Sequence, residues 1–432
     1  MILLNSNKQS AIAISTAPPR KGVVEINAET IQSTLLSPPV LVLGALVIFY
    51  AWYSLRGKGK TKNIIAKDEL AGVKHTEAAR VKAIKQIQNR KRNEVGLWVG
   101  TPDGYSLTTS NGKLRLSLMD DPNTLFFPGC ESGILALGAN GSGKSFSFLM
   151  PLLQSFVRQL YPALFFDLKY STHTDQEPSP TAQIIGIAHR SGYRTPIFAP
   201  SLPESCTINI LDFIRGPEDV ETAGQVVATL YKNLSPNSDK GQPYFHEGSM
   251  AMIQGAMLLA KLTPYPDLLT VRTLLQALRL QDIVNHPSVP RVTRMVFDSI
   301  SAVIGVPETF GSLKSTVSNL FSKLLLPSVM PHICGQTNLK LDMDGQDFLV
   351  LGVNGQIRKV VLPIIATVVS MMVSKNLLRP RTTPFGVWLD EGNAMFLDEV
   401  DEWPNQYRSM GLCLAYGTQS KEMIEKLQFQ NK

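Results

Sequence analysis

The residues best suited to chemistry stand together at Gly138-Ala139-Asn140-Gly141-Ser142-Gly143-Lys144-Ser145. The run fits GxxxxGK[ST] at every position. Glycines let backbone N–H groups curl around phosphate oxygens without side-chain clash. Lys144 places a point charge between a β- and a γ-phosphate, and the Ser145 hydroxyl is a Mg2+ ligand. A helix starting near Ser145 adds the positive end of its dipole to the same anion. This is the chemistry of a nucleoside triphosphate site.

A phosphate loop needs a second strand that ends in carboxylate. Val387-Trp388-Leu389-Asp390-Glu391 supplies one. There Asp390 holds the Mg2+ shell, and Glu391 orients or activates the attacking water. Leu414-Ala415-Tyr416-Gly417-Thr418-Gln419-Ser420 is a third strand, and its terminal amide, Gln419, either senses a γ-phosphate or is a plain polar strand end. Phe165-Phe166-Asp167-Leu168-Lys169 is a fourth. It carries Asp167 and Lys169 to the same sheet edge, either as part of the site or as a simple surface ion pair.

These strands need a parallel sheet with helical crossovers, and the chain is patterned for one. Gly133–Leu137, Ala163–Asp167 and Thr195–Ala199 read as strands, with a helix over Lys144–Leu160 kinked at Pro151. Residues 95–130 read as a small antiparallel lead-in, with turn signals at Pro102-Asp103-Gly104, Asn111-Gly112 and Pro122-Asn123. Residues 216–335 change to helical patterning over Glu218–Leu234, Glu247–Leu262, Thr270–Leu278 and Ser312–Leu325, broken by prolines. From Asp347 the strand and helix rhythm returns, with strands at Phe348–Val353, Phe385–Leu389 and Leu412–Gly417. Val360–Leu378 is apolar enough to span a membrane, but its place between two strands makes it a buried crossover helix.

Leu35–Leu55 is different: 21 residues without an ionisable acid or base. That length crosses a bilayer core of about 30 Å. Phe49, Tyr50, Trp52 and Tyr53 gather near its end, as in an interfacial belt. A buried core helix is the alternative. Between Arg56 and Arg92 there are 12 basic and 3 acidic residues, a balance of +9 against +7 for the whole chain. The positive-inside rule then puts residues 1–34 outside and the rest in the cytoplasm. Asp68–Arg92 reads as a basic helix suited to anionic lipid or nucleic acid, or as a solvated linker. The four cysteines and six histidines form no CxxC, HxH or HxxxH pair, which argues against a disulfide scaffold or a zinc or iron–sulfur site.

In this order the pieces resemble the type IV coupling proteins, the VirD4/TraG/TraD family of conjugative and type IV secretion ATPases. The resemblance covers roughly residues 95–432. It is carried by Gly138–Ser145, Phe166-Asp167-Leu168-Lys169, Pro200 through Asn209-Ile210-Leu211, Leu389-Asp390-Glu391-Gly392-Asn393, and Arg408 through Gln419-Ser420. It implies an α/β, RecA-like P-loop NTPase with a parallel-rich central sheet, an inserted all-helical domain and an N-terminal transmembrane helix. The domains would be a tail at 1–34, a span at 35–55, a basic linker at 56–94, the nucleotide-binding parts at 95–215 and 336–432, and the helical insert at 216–335. The implied cofactors are ATP and Mg2+. The implied activity is ATP hydrolysis by a homo-hexamer at the bacterial inner membrane, driving DNA, single-stranded and bound without sequence preference. A relaxase or relaxosome protein, type IV secretion channel components and membrane lipid are the implied partners. In such a ring Arg408 reaches across to the neighbour's γ-phosphate; the plainer reading is a surface arginine ending a helix over Trp403–Met410.

Three departures stand out. One membrane span is present where the family has two. Lys169-Tyr170-Ser171 replaces Lys-Gly-Glu. The chain ends at Lys432, where family members continue, which reads as a short variant, a truncated product or a fragment. Two other functions stay open: another RecA-like DNA translocase of the FtsK or HerA kind, and a membrane adaptor that binds nucleotide without turnover.

Overall fold

A computed structural model describes residues 73–100, 106–110, 113–117, 123–139, 141–170, 180–236, 243–277, 280–298, 300 and 306–419. The segments read as external tail and membrane span, and the basic linker up to residue 72, lie outside the described residues.

The first helix, α1 (Val73–Asn89), falls within the basic run. It is more than a solvated linker. Ala83 and Ile87 are one turn apart on its apolar face and pack with Trp98, Leu116 and Phe126. The lead-in is antiparallel, as its turn signals predict. β1 (Leu97–Val99) pairs with β4 (Leu125–Phe127), and β2 (Ser106–Ser110) pairs with β3 (Lys113–Ser117).

Then the main sheet begins. β5 (Ile134–Leu137) leads into a wide turn, Lys144–Leu149, closed by Met150 N–H to Ser145 O, five residues back. Only then does a regular α-helix start, α2 (Met150–Arg158). Pro151 therefore occupies the first turn of α2 and is no kink, because a helix start has no use for its missing N–H. β6 (Ala163–Asp167), α3 (Pro180–Arg190) and a short β7 (Ile197–Phe198) follow.

Next come, among the described residues, seven helices: α4 (Val220–Leu234), α5 (Pro243–Ala260), α6 (Leu268–Gln276), α7 (Leu280–Val284), α8 (Arg291–Asp298), α9 (Pro307–Leu324) and α10 (Met330–Ile333). The short α7, α8 and α10 escape a sequence reading because they hold too few turns to show a period. The chain enters and leaves this helical stretch at one place. Asn209, 1% exposed, donates to Pro266 O and Gly335 O at 2.8 Å each and accepts from Leu211 N–H. Ile208 N–H donates to His332 O, and Asp212 accepts from Thr337. The Asn209-Ile210-Leu211 stretch is thus a clasp that binds the two ends of the helical stretch.

The last strands are β8 (Phe348–Gly352), β9 (Phe385–Asp390) and β10 (Leu412–Thr418), with α11 (Arg358–Asn376) after β8 and the short α12 (Trp403–Tyr407) before β10. All six main strands run parallel in the order β5-β10-β9-β6-β8-β7. Strand period decides the faces. Leu164, Phe166, Leu349, Leu351, Val387 and Leu389 point to the core shared with α4 and α11. Ala163, Phe165, Phe348, Val350 and Trp388 point to the core beneath α2 and α3. The apolar length of α11 is spent there: Ile364, Ile365, Val368, Val369 and Met372 are fully covered, so it is a crossover helix.

Candidate nucleotide site

In a parallel sheet the strand ends that precede the helices all open on one edge. Here β10 lies between β5 and β9, so three sequence-distant pieces meet. The register pairs Thr418 with Leu137 and Tyr416 with Leu389, and Gly138 N–H donates to Thr418 O at 3.2 Å. The phosphate loop, Asp390-Glu391 and Gln419 therefore share one edge. Asn140 lies outside the described residues.

The loop has the backbone that its glycines permit. Gly141 and Gly143 have φ of 75° and 80°, where a side chain would strain the chain. The turn that carries Lys144 and Ser145 is held from behind: Trp388 Nε1–H donates to Leu149 O at 3.2 Å, and its ring packs on Phe156. Gly417 has no room for a side chain. A Cβ there would lie 2.7 Å from Leu149 Cδ1 and 3.0 Å from Asp390 Oδ1. Neither Trp388 nor Gly417 stands out in the sequence, because both work through contacts between strands.

Ser145 stands beside Asp390, where its hydroxyl favours the ionised carboxylate. Burial pushes the Asp390 carboxyl above the usual carboxylate range; the Ser145 hydroxyl and the Lys144 ammonium oppose this, and Asp167 and Glu391 reinforce it. Asp390 Oδ1 and Thr418 Oγ1 are buried with no hydrogen-bond partner among the described residues. A buried carboxylate oxygen without a donor is expensive unless a cation meets it. The residues present fit a divalent ion.

Glu391 follows with φ 57° and ψ 44°, a left-handed conformation that costs a non-glycine residue about 1–2 kcal/mol. Asp167 and Lys169 do not form the surface pair that adjacency suggests. Asp167 is buried, stands in register with Asp390, and accepts the Lys169 backbone N–H at 2.9 Å. The Lys169 ammonium pairs instead with Glu391, at 3.0 Å. Arg408 is exposed and precedes β10, at the opposite edge from the phosphate loop. Seven residues of strand, roughly 23 Å at 3.3 Å each, separate it from its own loop. It ends a short helix and a further tight turn over Arg408–Met410, as the plainer reading has it.

No family model matches the chain, and no curated protein matches it. Solved structures do. The bacterial conjugative coupling protein TrwBdeltaN70 with sulphate matches over 69% of this chain and 67% of its own, at 13% identity and a TM-score of 0.50. The plasmid coupling protein TrwB with ADP and Mg2+ matches over 70% of this chain and 67% of its own, at 14% identity and a TM-score of 0.51. VirB4 of Thermoanaerobacter pseudethanolicus reaches 15% identity over 77% of this chain and 81% of its own, at a lower TM-score of 0.41. In fold the chain is thus similar to a conjugative coupling protein, of which it spans about two thirds of the length.

Proposed function

We propose that the chain is a membrane-anchored ATPase that drives DNA, alone or with attached protein, toward a conjugative or type IV secretion channel. The observation that carries this reading is the meeting of Gly138–Ser145, Asp390-Glu391 and Gln419 on one sheet edge, with Asp390 Oδ1 left for a cation. The likeness in fold to TrwB, solved with ADP and Mg2+, supports the choice of nucleotide. A cytoplasmic ATPase held by one span at Leu35–Leu55, in a hexameric ring at the bacterial inner membrane, completes the proposal. A relaxase or relaxosome protein would bring the DNA.

Each residue has a task. Backbone N–H groups of the loop and Lys144 bind the β- and γ-phosphates. Ser145 and Asp390 would hold Mg2+, which draws negative charge from the phosphate oxygens. Glu391 takes the proton of the attacking water, and Gln419 registers the loss of the γ-phosphate. Arg408 lies too far from its own loop to serve it, so its task would be at a neighbouring subunit, where a planar, permanently charged fork can bridge phosphate oxygens. The basic run from Arg56 to Arg92 would bind the DNA backbone without reading sequence.

A second reading is a nucleotide-binding adaptor without turnover. The Lys169–Glu391 ion pair favours it, since the water-activating group is already engaged. Steady-state ATPase assays of the full chain, with and without single-stranded DNA, decide between the two. Turnover that DNA stimulates supports the motor. DNA affinity should fall linearly in log–log form with salt, by roughly 0.7–0.9 per phosphate contact. An Arg408→Ala chain should be inactive alone and regain part of its activity when mixed with Lys144→Ala. A mixture as dead as its parts, in rings shown to be mixed, removes Arg408 from the mechanism.

A further inference from the structure

The hydrolytic reading needs Glu391 free to take a proton from water. Its carboxylate is engaged elsewhere: Lys169 Nζ lies 3.0 Å from Glu391 Oε1. The Lys169 side chain is 59% exposed and that of Glu391 only 12%. A solvent-facing cation thus reaches in to a nearly covered anion. Strand order gives the pull a direction. β10 and β5, with the phosphate loop, lie on one side of β9, and β6, which ends just before Lys169, lies on the other. The ion pair draws Glu391 toward β6 and away from the loop.

The backbone that aims Lys169 is fixed on both sides. Asp167 accepts the Lys169 N–H at 2.9 Å through one oxygen, and the Thr181 hydroxyl fills the other. Tyr170 lays its ring on the bare backbone of Gly352, where a Cβ would come within 2.5 Å of the ring, and donates its hydroxyl to Glu204 at 3.0 Å. The Lys169 side chain itself is 59% exposed. A pair with one partner this exposed is weak and easily broken. It is badly suited to holding the fold together and well suited to opening.

We infer that Lys169 is a positioning residue that holds Glu391 in a resting arrangement, turned from the phosphate loop, and that turnover requires this ion pair to open. The inference rests on the hydrolytic reading above. It makes β6 and β9 parts of one device: Asp167 sets the lysine, and the lysine sets the glutamate.

Steady-state hydrolysis by the full-length Lys169→Ala protein tests it. The expected result is a rise in kcat of about fivefold, the factor that corresponds to about 1 kcal/mol for a part-exposed ion pair. KM should stay within about twofold, because the phosphate contacts are untouched. Lys169→Arg, which can still pair, should bring kcat back toward wild type. In a Glu391→Gln background the same Lys169→Ala change should move nothing, since the two act as one unit. A kcat that is unchanged in Lys169→Ala overturns the inference. So does a fall that Lys169→Arg repairs, which would make the lysine an aid to Glu391 and not a restraint. If the wild-type protein binds Mg-ATP without turnover, the motor reading fails for the resting chain. Turnover that then appears in Lys169→Ala supports the restraint, and a silent variant overturns it.

Discussion

The two edges of the main sheet treat their polar groups in opposite ways. At the edge where the strands begin, Asn376 accepts from Met343 N–H at 2.7 Å and donates to Leu341 O and Met372 O at 2.9 Å each. Arg381 donates to Asn376 O and Met343 O, although its Nε stays unpaired, and Arg194 pairs with Asp347. At the edge where the strands end, Asp390 Oδ1 and Thr418 Oγ1 are buried and unpartnered, and Glu391 is strained. A buried polar atom without a partner costs about 1–3 kcal/mol. The unpaired groups differ in kind: guanidinium nitrogens of Arg90 and Arg381 where the strands begin, and oxygen acceptors where they end, as a cationic ligand would need. Left-handed backbone alone does not mark the site, since Arg90 and Leu160 share it at the other edge; the empty buried acceptors do.

The largest effect expected is at the strained edge. Glu391→Gln should lower kcat by roughly 10²- to 10⁴-fold, the usual worth of a general base, while ATP binding, followed by a fluorescent analogue, persists because Asp390 and Lys144 remain. Full activity in that variant would remove the proton-taking role.

Asn376→Ala should do the reverse. It strips Met343, Leu341 and Met372 of buried partners and should cost about 2–3 kcal/mol in denaturant titration. Nucleotide affinity should not move. A change in affinity as large as the change in stability would mean the two edges are one cooperative unit and break the comparison.

Asp390→Asn sharpens it. The folded carboxyl binds its proton more tightly than the unfolded chain does, so at neutral pH ionised Asp390 costs stability, and the cost fades as pH falls through the raised folded value. The asparagine variant of the free protein should melt roughly 1–3 °C higher at neutral pH. Its stabilisation by Mg2+ with ADP should be lost. A lower melting temperature without ligand would contradict the idea that this carboxylate is held at a cost.

The smallest effect belongs to Asp219, far from the site in sequence. It caps α4 through Thr222 N–H and pairs with Arg215, whose guanidinium holds its carboxyl well below the usual range. A depressed carboxylate adds stability above its unfolded pKa, near 4, and loses it as pH falls below that. Asp219→Ala should cost about 1 kcal/mol at neutral pH and less in acid, read from melts across pH.

Local pattern carried much of this molecule. The GxxxxGK[ST] loop, the Asp390-Glu391 strand end and the Gln419 strand end are legible because each needs only its own neighbours: a buried apolar run, then a polar stop. The apolar run Leu35–Leu55 and the charge that follows it are local patterns too, and they lie outside the described residues. Pro151 was misleading, because the wide turn over Lys144–Leu149 moved the helix start to the proline. The clasp at Asn209 looked like a motif, and its task emerged only when Pro266 and Gly335 were brought beside it.

What the sequence determined by itself is the set of parts: a phosphate loop, two acids, a terminal amide and strands of the right period. What only the tertiary structure decided is which part touches which. Strand order is a long-range choice with no local code, and it put β10 between β5 and β9, making one site of three segments. The same choice set β6 on the far side of β9, so that Lys169 found Glu391 and not its neighbour Asp167. Side chains two apart on one strand end are close along the chain, yet the partner of a charge is whichever opposite charge the sheet brings within reach, and the sheet's register is fixed by burial of both faces at once.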